Sequence, residues 1–342
     1  GFSMKKKFLA AILTAAMVLG LTACGNSSMT DGKVPDVKNE YLNFAASPAT
    51  AAMYPYWVAV GQAVQTAYPE LHVSVSESQG STDISNRIRA GEADLGNSAS
   101  PSDWDNYNGT GSFDSANPDA RMLWYFDAGT CCLFAVAEDS GINSFEDLAG
   151  QKLNPGGTGT TVALLSMKAF DILGIAVSWF DAGKSDAADA YGNRQIVGVC
   201  SGTTQPDTYI IQLQATRALK ILSFTDEQLD KIIEEMPYLS KVTIPAGTYE
   251  GIDYDVNTYC FSQGAQSSSN LSQETGYKIC TAIFETQRDV WEAAMPNLAS
   301  NDMVAYTLAS AIPLHAGTVQ YLIEKGVSVP ESLIPPEYVP VG

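Results

Sequence analysis

Short extended runs alternate with segments of helical spacing along most of the chain. The run 41–45 predicts a strand, and the apolar positions within 54–64 recur at the spacing of an amphipathic helix. An alternating strand-like run at 71–75 and a short helical segment over 84–88 repeat this order. The succession indicates an α/β chain whose strands pair mostly in parallel.

A second series of the same kind begins near residue 139. It is preceded by the long apolar stretch 121–137, which is interrupted near Gly129 and predicts two buried strands. Further strands are predicted over 152–154, 196–200, 218–222 and 254–261, and helices over 144–148, 162–173, 225–236, 272–294 and 300–308. The last residues, 327–342, contain four prolines and are predicted to form an extended tail.

The N-terminal region follows the pattern of an export signal. Three consecutive lysines precede an uncharged run over 8–23, which ends in Leu-Thr-Ala before Cys24. Sixteen residues are short for a bilayer-spanning helix but suit a signal peptide. We therefore expect 1–23 to be a signal peptide, with 1–3 as a cloning remnant. Leu-Thr-Ala-Cys resembles the bacterial lipobox, which implies that Cys24 is lipidated and that 24–39 is a polar tether.

Composition and charge exclude several classes of protein. The 342 residues are 45% hydrophobic and 10% aromatic, which is enough to bury a substantial core. Nineteen Lys and Arg against 38 Asp and Glu give a net charge of −19, and removal of 1–23 deletes three lysines and lowers it to −22. Such an acidic chain is a poor ligand for nucleic acid. Two histidines argue against a His-rich metal site.

The cysteines that follow Cys24 are odd in number. They are Cys131, Cys132, Cys200, Cys260 and Cys280. In an exported protein an odd number leaves at least one thiol unpaired, and the sequence leaves open which of the others form disulfides. No C-x-x-C pair is present, which argues against zinc and thioredoxin-like chemistry. Cys131 and Cys132 lie in the apolar run and are expected to act as small hydrophobic residues.

One glycine-rich segment has the character of a ligand-binding loop. Gly-Gly-Thr-Gly-Thr-Thr at 156–161 lies between a predicted strand and a predicted helix. Glycine lets the backbone approach a ligand closely, and threonine places hydroxyls beside the free N–H groups of the helix start. The last glycine of a dinucleotide fingerprint is absent. The segment therefore suits a carboxylate or another polar head group, and a simple helix start is the alternative interpretation.

Motifs of catalysis and of metal binding fail on spacing or residue type. The segment 183–185, Gly-Lys-Ser, lacks the leading glycine of a phosphate-binding loop. The acidic segment 253–264 lacks the turn glycine and the terminal glutamate of a calcium loop. No G-x-S-x-G elbow occurs, and His72 and His315 are the only imidazoles for a triad. We therefore expect a binding protein without cofactor or metal, not an enzyme.

An ordered set of segments carries a family resemblance. They include Thr-Ile-Pro-Ala-Gly-Thr-Tyr at 243–249, Ile-Pro-Leu-His-Ala-Gly at 312–317, and the segments 89–95, 107–113, 139–152 and 155–161. Taken in order, they resemble the TAXI family of solute receptors of TRAP (tripartite ATP-independent periplasmic) transporters, over roughly residues 40–326.

This resemblance implies an α/β, two-lobed periplasmic-binding-protein fold of the type II kind. Each lobe would be a mostly parallel sheet flanked by helices, and a strand hinge would join the lobes around a solute cleft. Lobe one would comprise 38–134 and 256–326, and lobe two 135–255.

The first predicted strand departs from the family pattern. There it leads into a Gly-rich loop, whereas 45–57 contains no glycine, so we expect solute contact through side chains. The candidate loops hold no Arg or Lys, which predicts a small neutral, zwitterionic or singly anionic solute. The candidate ligand-binding residues are Ser47, Thr50, Tyr54, Trp57, Gln79, Ser81, Ser98, Ser100, Gly157, Thr158, Gly159, Thr160, Thr161, Ser201, Gly202 and Thr203.

The resemblance also implies a function. The protein would be an exported lipoprotein, anchored to the outer face of the cytoplasmic membrane or periplasmic, that binds an amino acid or organic acid and delivers it to a TRAP-type permease. An alternative is a ligand sensor that presents its loaded form to a membrane sensor kinase. A third reading, a two-lobed hydrolase or transferase, predicts turnover that depends on His315.

Overall fold

The computed structural model describes residues 40–49, 51 and 53–341, so the predicted signal peptide, Cys24 and the tether lie outside the described residues. The strands are β1 (Glu40–Ala46), β2 (Leu71–Glu77), β3 (Leu95–Ala99), β4 (Ala120–Ala137), β5 (Lys152–Asn154), β6 (Ser178–Trp179), β7 (Gly198–Thr203), β8 (Leu219–Leu222), β9 (Leu239–Ile244) and β10 (Val256–Ser268). The helices are α1 (Tyr54–Ala67), α2 (Ser81–Arg89), α3 (Ser100–Asn108), α4 (Thr161–Leu173), α5 (Lys184–Gly192), α6 (Thr208–Thr216), α7 (Asp226–Glu235), α8 (Gln273–Thr281), α9 (Arg288–Ala294), α10 (Met303–Leu308) and α11 (Ala316–Glu324). None of these helices combines the length and the apolar character needed to span a membrane.

The strands form a mixed sheet in the order β2-β1-β3-β10-β4-β7-β5-β6, with β8 beside β4 and β9 beside β10. Strand β1 pairs in parallel with β2 and β3, and β5 pairs in parallel with β6 and β7. Every pair that includes β4 or β10 is antiparallel. The prediction of mostly parallel sheets is therefore wrong for the centre, because the chain crosses between lobes in β4 and returns in the opposite direction in β10.

Separate groups of buried side chains define the two lobes. The first-lobe core takes side chains from 42–126 and 265–333, including the fully buried Trp124. The second-lobe cores lie on two faces of the sheet and take nearly all their side chains from 131–261. The chain thus crosses between lobes near 126–131 and 261–265, which confirms a two-lobed α/β fold. The predicted lobe bounds lie a few residues from these crossings and stay predictions.

Strand β4 is one continuous strand of 18 residues and not the two strands that were predicted. Asp127 Oδ1 accepts a hydrogen bond from the Gly129 N–H at 2.8 Å, where the apolar pattern breaks. Pairing with β10 continues past this point because shifts in register around Gln263 absorb the irregularity. The hinge therefore contains an unbroken strand.

A disulfide joins β4 to β10 at the crossing between lobes. It links Cys131 to Cys260, which are register partners in the two strands. The expectation that Cys131 acts as an unpaired apolar residue is therefore wrong, because strand pairing places it opposite a cysteine 129 positions away. Cys132, Cys200 and Cys280 are free and buried, in keeping with the odd number.

Local hydrogen bonding explains where several predicted helices begin and end. Helix α4 ends at Leu173 and is capped by Gly174, whose φ of 70° lies in the left-handed region that glycine favours. The predicted helix over 272–294 is divided into α8 and α9 by a π-helical turn at 282–286. In this wide turn the Gln287 N–H donates to Ala282, which leaves the Ile283 carbonyl to accept from the Trp291 indole at 2.9 Å.

The C-terminal segment packs on the first lobe. Arg121 in β4 is 3% exposed and donates from Nε and Nη2 to the two carboxylate oxygens of Glu337, at 2.7 and 2.9 Å. Leu333 is buried in the first-lobe core, and the Leu314 N–H donates to its carbonyl at 2.9 Å. The predicted tail therefore packs on the first lobe through the apolar Leu333 and the charged Glu337.

We expect Glu337→Gln to lower the free energy of unfolding by about 2 kcal/mol, because Arg121 would stay buried without its carboxylate. Partial exposure of Glu337 keeps the loss below that of a fully buried pair. Urea denaturation measures the change, with the exposed Glu331→Gln as the matched control. Equal stability of the two variants would show that the ion pair does not hold the tail.

Candidate functional site

A cavity of about 390 Å³ lies between the two lobes. The first lobe lines it with the starts of α2 and α3 and with the loop 110–113, and the second lobe with α4 and Tyr238. Thr82 on α2 and Thr161 on α4 stand on the two walls. The N-termini of α2 and α4 therefore face the same space, as expected for a cleft at the carboxyl ends of strands.

The first-lobe wall is built on the turn between β2 and α2. Ser78 is buried and donates from Oγ to the Ala46 carbonyl at 2.6 Å, while its Oγ accepts from the Gly80 N–H at 3.2 Å. Gly80 has a φ of 122°, which a side-chain-bearing residue rarely adopts. This turn leaves Gln79 exposed and Ser81 half-buried at the start of α2. Both predicted residues are accessible, but the residue of this turn that lines the cavity is their neighbour Thr82.

The Gly-Thr loop leads into α4, and its last residue, Thr161, lines the second-lobe wall. The buried Asn154 holds the loop, because its Oδ1 accepts from the Gly156 N–H at 3.0 Å and its Nδ2 donates to the carbonyls of Phe180 and Ala182 at 2.9 Å each. A Cβ at Gly156 would lie 2.6 Å from a methyl of Val162, so glycine is required there. Gly157 is buried in the loop, and its exposed residues are Thr158, Gly159, Thr160 and Thr161.

Among the residues that line the cleft cavity, the cation is Lys168 of α4, whose Nζ lies 3.4 Å from the Tyr238 hydroxyl and 5.8 Å from the centre of the Tyr238 ring. Lys184, the first residue of α5, does not line this cavity but lies beside the Gly-Thr loop. Its Nζ donates to Ser201 Oγ at 3.3 Å and lies 5.0 Å from the centre of the Tyr209 ring. Ser201 in turn donates to Asp207 Oδ2 at 2.6 Å, and Asp207 Oδ1 caps α6 by accepting from the Tyr209 N–H at 2.8 Å. A Cβ placed on Gly157 would lie 3.9 Å from Lys184 Cγ. The starts of α5 and α6 thus lie beside the Lys184 ammonium group, and the Gly-Thr loop that precedes α4 lies near the same side chain.

The expectation of a cleft without cations is therefore wrong. Lys184 lies outside the candidate loops in sequence, and the fold brings it beside Ser201 and Gly157. Helix N-termini present free N–H groups and a partial positive charge, and Lys184 adds a full charge. Such a wall favours an anionic group, and the exposed hydroxyls of the Gly-Thr loop add donors.

Thr160 also has a structural role. Its Oγ1 accepts from the Ala163 N–H at 3.0 Å and caps α4, and it donates to the carbonyls of Gly156 and Gly157 at 3.2 and 3.0 Å. The interpretation of the loop as a helix start is thus correct for this residue. Thr158 and Thr161 remain the exposed hydroxyls of the loop.

Six predicted contact residues are buried, namely Ser47, Trp57, Ser98, Ser100, Gly157 and Ser201. Trp57 is fully buried in the first-lobe core and donates from Nε1 to Asn97 Oδ1 at 3.1 Å. Ser98 is 1% exposed, and Ser100 is buried and donates to the Tyr238 carbonyl at 2.8 Å, which joins the two lobes. Direct solute contact by Trp57, Ser98 and Ser100 is therefore a wrong expectation, because their polar atoms bond to other groups inside the protein.

Of the predicted residues that the structure describes, Thr161 lines the cleft cavity and the others do not. Ser47 is buried at the end of β1, and Tyr54 is half-buried at the start of α1. Gly202 and Thr203 end β7 and are half-buried. Thr50 lies outside the described residues.

A buried carboxylate that the sequence did not indicate lies behind the first-lobe wall. Asp103 Oδ2 accepts from the Tyr125 hydroxyl at 2.8 Å and from Ser98 Oγ at 3.1 Å, and its Oδ1 accepts from Gln266 Nε2 at 2.6 Å. Burial raises the pKa of Asp103 to about 7, although these hydrogen bonds act in the opposite direction. The cluster ties α3 to β3, β4 and β10, and positions the wall.

We expect Asp103 to make folding less favourable as the pH rises from about 4 to about 7. The unfolded carboxyl ionises near 3.8, whereas the folded one keeps its proton to about 7. Between pH 5 and pH 8, the free energy of unfolding of the native chain should therefore fall by about 2–3 kcal/mol relative to that of the Asp103→Asn variant. Urea denaturation at both values measures this shift. The exposed Asp114→Asn is the control, and a difference independent of pH would contradict the burial.

His315 has a structural position. It is 1% exposed, its Nε2–H donates to the Leu271 carbonyl at 2.9 Å, and its Nδ1 accepts from the Gly317 N–H at 3.1 Å. Burial lowers the pKa of His315 to about 4. With both ring nitrogens engaged inside the first lobe, this imidazole is not placed as a general base for a cleft solute.

Comparisons with known proteins give a family match and several structural likenesses. The NMT1-like family model matches residues 44–326. Among solved structures, the chain is similar to a Xanthomonas citri protein bound to ATP, with a TM-score of 0.50 and 11% identity over 76% of this chain and 88% of that one. It is also similar to a TctC solute binding protein from Polaromonas, with a TM-score of 0.49 and 15% identity over 83% of this chain and 98% of that one. A third similar structure is the periplasmic sulfonate-binding protein SsuA from Methylobacillus flagellatus, with a TM-score of 0.49 and 12% identity over 80% of this chain and 73% of that one. At such identities the likeness concerns the fold alone.

Proposed function

The chain belongs to the NMT1-like family, and on that premise we propose that it is an exported solute-binding protein that holds a small organic anion between its two lobes. The two-lobed fold supports binding in the cleft, because open α/β sheets take ligands at the carboxyl ends of their strands. The absence of a free imidazole in the described first lobe and the lack of a nucleophile motif favour binding over turnover.

The position of Lys184 beside the Gly-Thr loop, which adjoins the cavity lined by Lys168, carries this proposal. Its ammonium group lies 3.3 Å from Ser201 Oγ, and Ser201 and Asp207 hold the start of α6 beside it. A carboxylate placed there would gain a charge-assisted hydrogen bond from Lys184 together with N–H groups of the helix starts. The solute is thus a carboxylic acid or an amino acid bound through its carboxylate, within the small solutes that the sequence predicted.

The cavity also offers aromatic and apolar surface to the solute, beside the ammonium group of Lys168. Trp104 from the first lobe and Tyr238 from the second line it, with ring centres 6.0 Å apart. Leu164 of α4 is 64% exposed and lines the same space. Apolar surface from both lobes would be covered when a solute binds, so binding would favour the closed arrangement of the lobes.

The membrane partner follows from the family resemblance. We propose that the loaded protein delivers its solute to a TRAP-type permease and that Cys24 carries a lipid anchor. The resemblance of the segments at 243–249 and 312–317 to the TAXI family supports the first point, and the lipobox supports the second.

Thermal-shift screening followed by calorimetry tests the proposal. Small monocarboxylates, dicarboxylates and amino acids are compared with their amides at equal ionic strength. We expect at least one carboxylate to raise the midpoint of unfolding by several degrees, since a ligand that binds only the folded state stabilises it in proportion to the logarithm of its concentration over Kd. Stabilisation by no carboxylate, or equally by the matching amide, would overturn the proposed function.

A further inference from the structure

A second cavity, of about 370 Å³, lies at the crossing between the lobes. Asp127 and Gly129 of β4 form its floor, residues 297–306 of the first lobe form one side, and Thr204 and β9 of the second lobe form the other. It shares no lining residue with the cleft cavity, and none of the predicted ligand-binding residues lines it. Its chemistry is therefore separate from that of the Lys184 wall.

Asp127 gives this cavity a carboxylate without a counter-ion. The residue is 7% exposed, and its Oδ1 accepts from the Gly129 N–H at 2.8 Å. Within 40–49, 51 and 53–341, no donor or cation contacts its other oxygen, Oδ2. Burial raises the pKa of this carboxyl, as expected for a desolvated acid with no positive neighbour. An ionised Asp127 therefore gains from any cation that enters the cavity.

The other polar groups of the cavity are suited to accept hydrogen bonds. The Asn301 side chain donates from Nδ2 to the Phe126 carbonyl at 3.0 Å, which leaves its Oδ1 as an acceptor. Tyr306 lies close enough to Asp127 that this carboxylate, after burial, contributes to raising the pKa of the phenol. Tyr306 also lines the cavity, and an aromatic ring attracts a cation placed over its face. Lys241, the cation on the rim, is bound to Asp230 on α7.

We propose that this cavity is a binding site for a small organic amine, whose ammonium group pairs with Asp127 and donates to Asn301. An ammonium group fits better than a metal ion, because the described residues contain no group of three or more His, Cys, Asp or Glu that could hold one. The volume accepts a short alkyl chain beside Leu298 and Val242, which also line the cavity. This inference does not rest on the proposed function of the cleft.

Binding of an amine in this cavity would also favour one relative arrangement of the two lobes. A bound amine would contact the first lobe through Asn301, the crossing through Asp127, and the second lobe beside Thr204. A ligand favours the arrangement in which all its contacts are made. The amine would therefore favour the lobe arrangement described here over one in which the first lobe has moved away from β9.

The test uses the full chain and propylammonium chloride as the probe, at pH 8 and at an ionic strength matched with NaCl. We expect a saturable rise in the midpoint of unfolding over 0–50 mM probe, and no rise with n-propanol at the same concentrations. In Asp127→Asn the rise should fall at least fivefold. Asp302→Asn is the matched control, because Asn also caps α10 and residue 302 does not line the cavity.

A second variant keeps the test decisive if Asp127→Asn fails to fold. Thr204→Phe fills the cavity from an exposed position of the second lobe and should abolish the rise without altering the hydrogen bond of Asp127. The proposal is overturned if propylammonium gives no rise in the native chain, if propanol gives the same rise, or if the folded variants at 127 or 204 respond like the native chain.

Discussion

Replacing Lys184 by Gln is expected to weaken the binding of the cleft solute by about 10- to 100-fold. The substitution removes the positive charge and keeps a polar side chain of similar length. The loss corresponds to about 1.5–3 kcal/mol, the typical contribution of a hydrogen bond to a charged group. Isothermal titration calorimetry with the carboxylate identified by screening measures the change.

The fold should be unaffected, because Lys184 is exposed and its Nζ makes a 3.3 Å contact with Ser201. The matched control is Lys231→Gln, which removes an equal charge from an exposed position on α7. We expect this control to bind with native affinity. Equal weakening in both variants would mean that the overall charge of the protein, and not the Lys184 wall, sets the affinity. Native affinity in the Lys184→Gln variant would contradict the proposal that Lys184 binds an anionic group of the solute.

Replacing both Cys131 and Cys260 by Ser is expected to lower the free energy of unfolding by about 4 kcal/mol. The disulfide closes a loop across 129 positions, and loops of this length restrict the unfolded chain most strongly. Both sulfurs are also buried, so the serine hydroxyls would need new hydrogen-bond partners. Chemical denaturation of the native chain and of the double variant, both without reductant, measures the loss.

Reductant supplies the control for the disulfide. Dithiothreitol should destabilise the native chain by a similar amount and leave the double variant unchanged. Cys280→Ser should respond to reductant like the native chain, because Cys280 is free. A native chain whose stability is indifferent to both the reductant and the double substitution would show that the bond does not form in solution.

Hydrophobic spacing was sufficient to predict most elements, because their buried faces repeat with clear periods. Strands β1 and β2 and helices α1, α4 and α7 lie close to their predicted positions. Helix α5 was not predicted because only Ala187, Ala190 and Tyr191 of its nine residues are buried, which gives a weak apolar pattern. The break at Gly129 suggested two strands, since pairing with β10 cannot be read from one strand.

The candidate site could be predicted only where a loop carries its own signal. The Gly-Thr loop and the turn before α2 were found because glycine and hydroxyl residues cluster next to a helix start. Lys184 was missed because it depends on Asn154, which binds the carbonyls of Phe180 and Ala182 and brings the following turn against the loop. Trp57 was wrongly placed in the cleft, because an aromatic residue near a helix start has the same pattern whether it faces a ligand or the core.

Small-angle X-ray scattering of the full chain, with and without the identified carboxylate, tests most directly that the protein closes on an organic anion held at Lys184. A saturating carboxylate should reduce the radius of gyration of the native chain. The same concentration should leave the Lys184→Gln variant at its ligand-free value. An unchanged radius of the native chain at saturation, or an equal reduction in the variant at a concentration that saturates only the native chain, would contradict it.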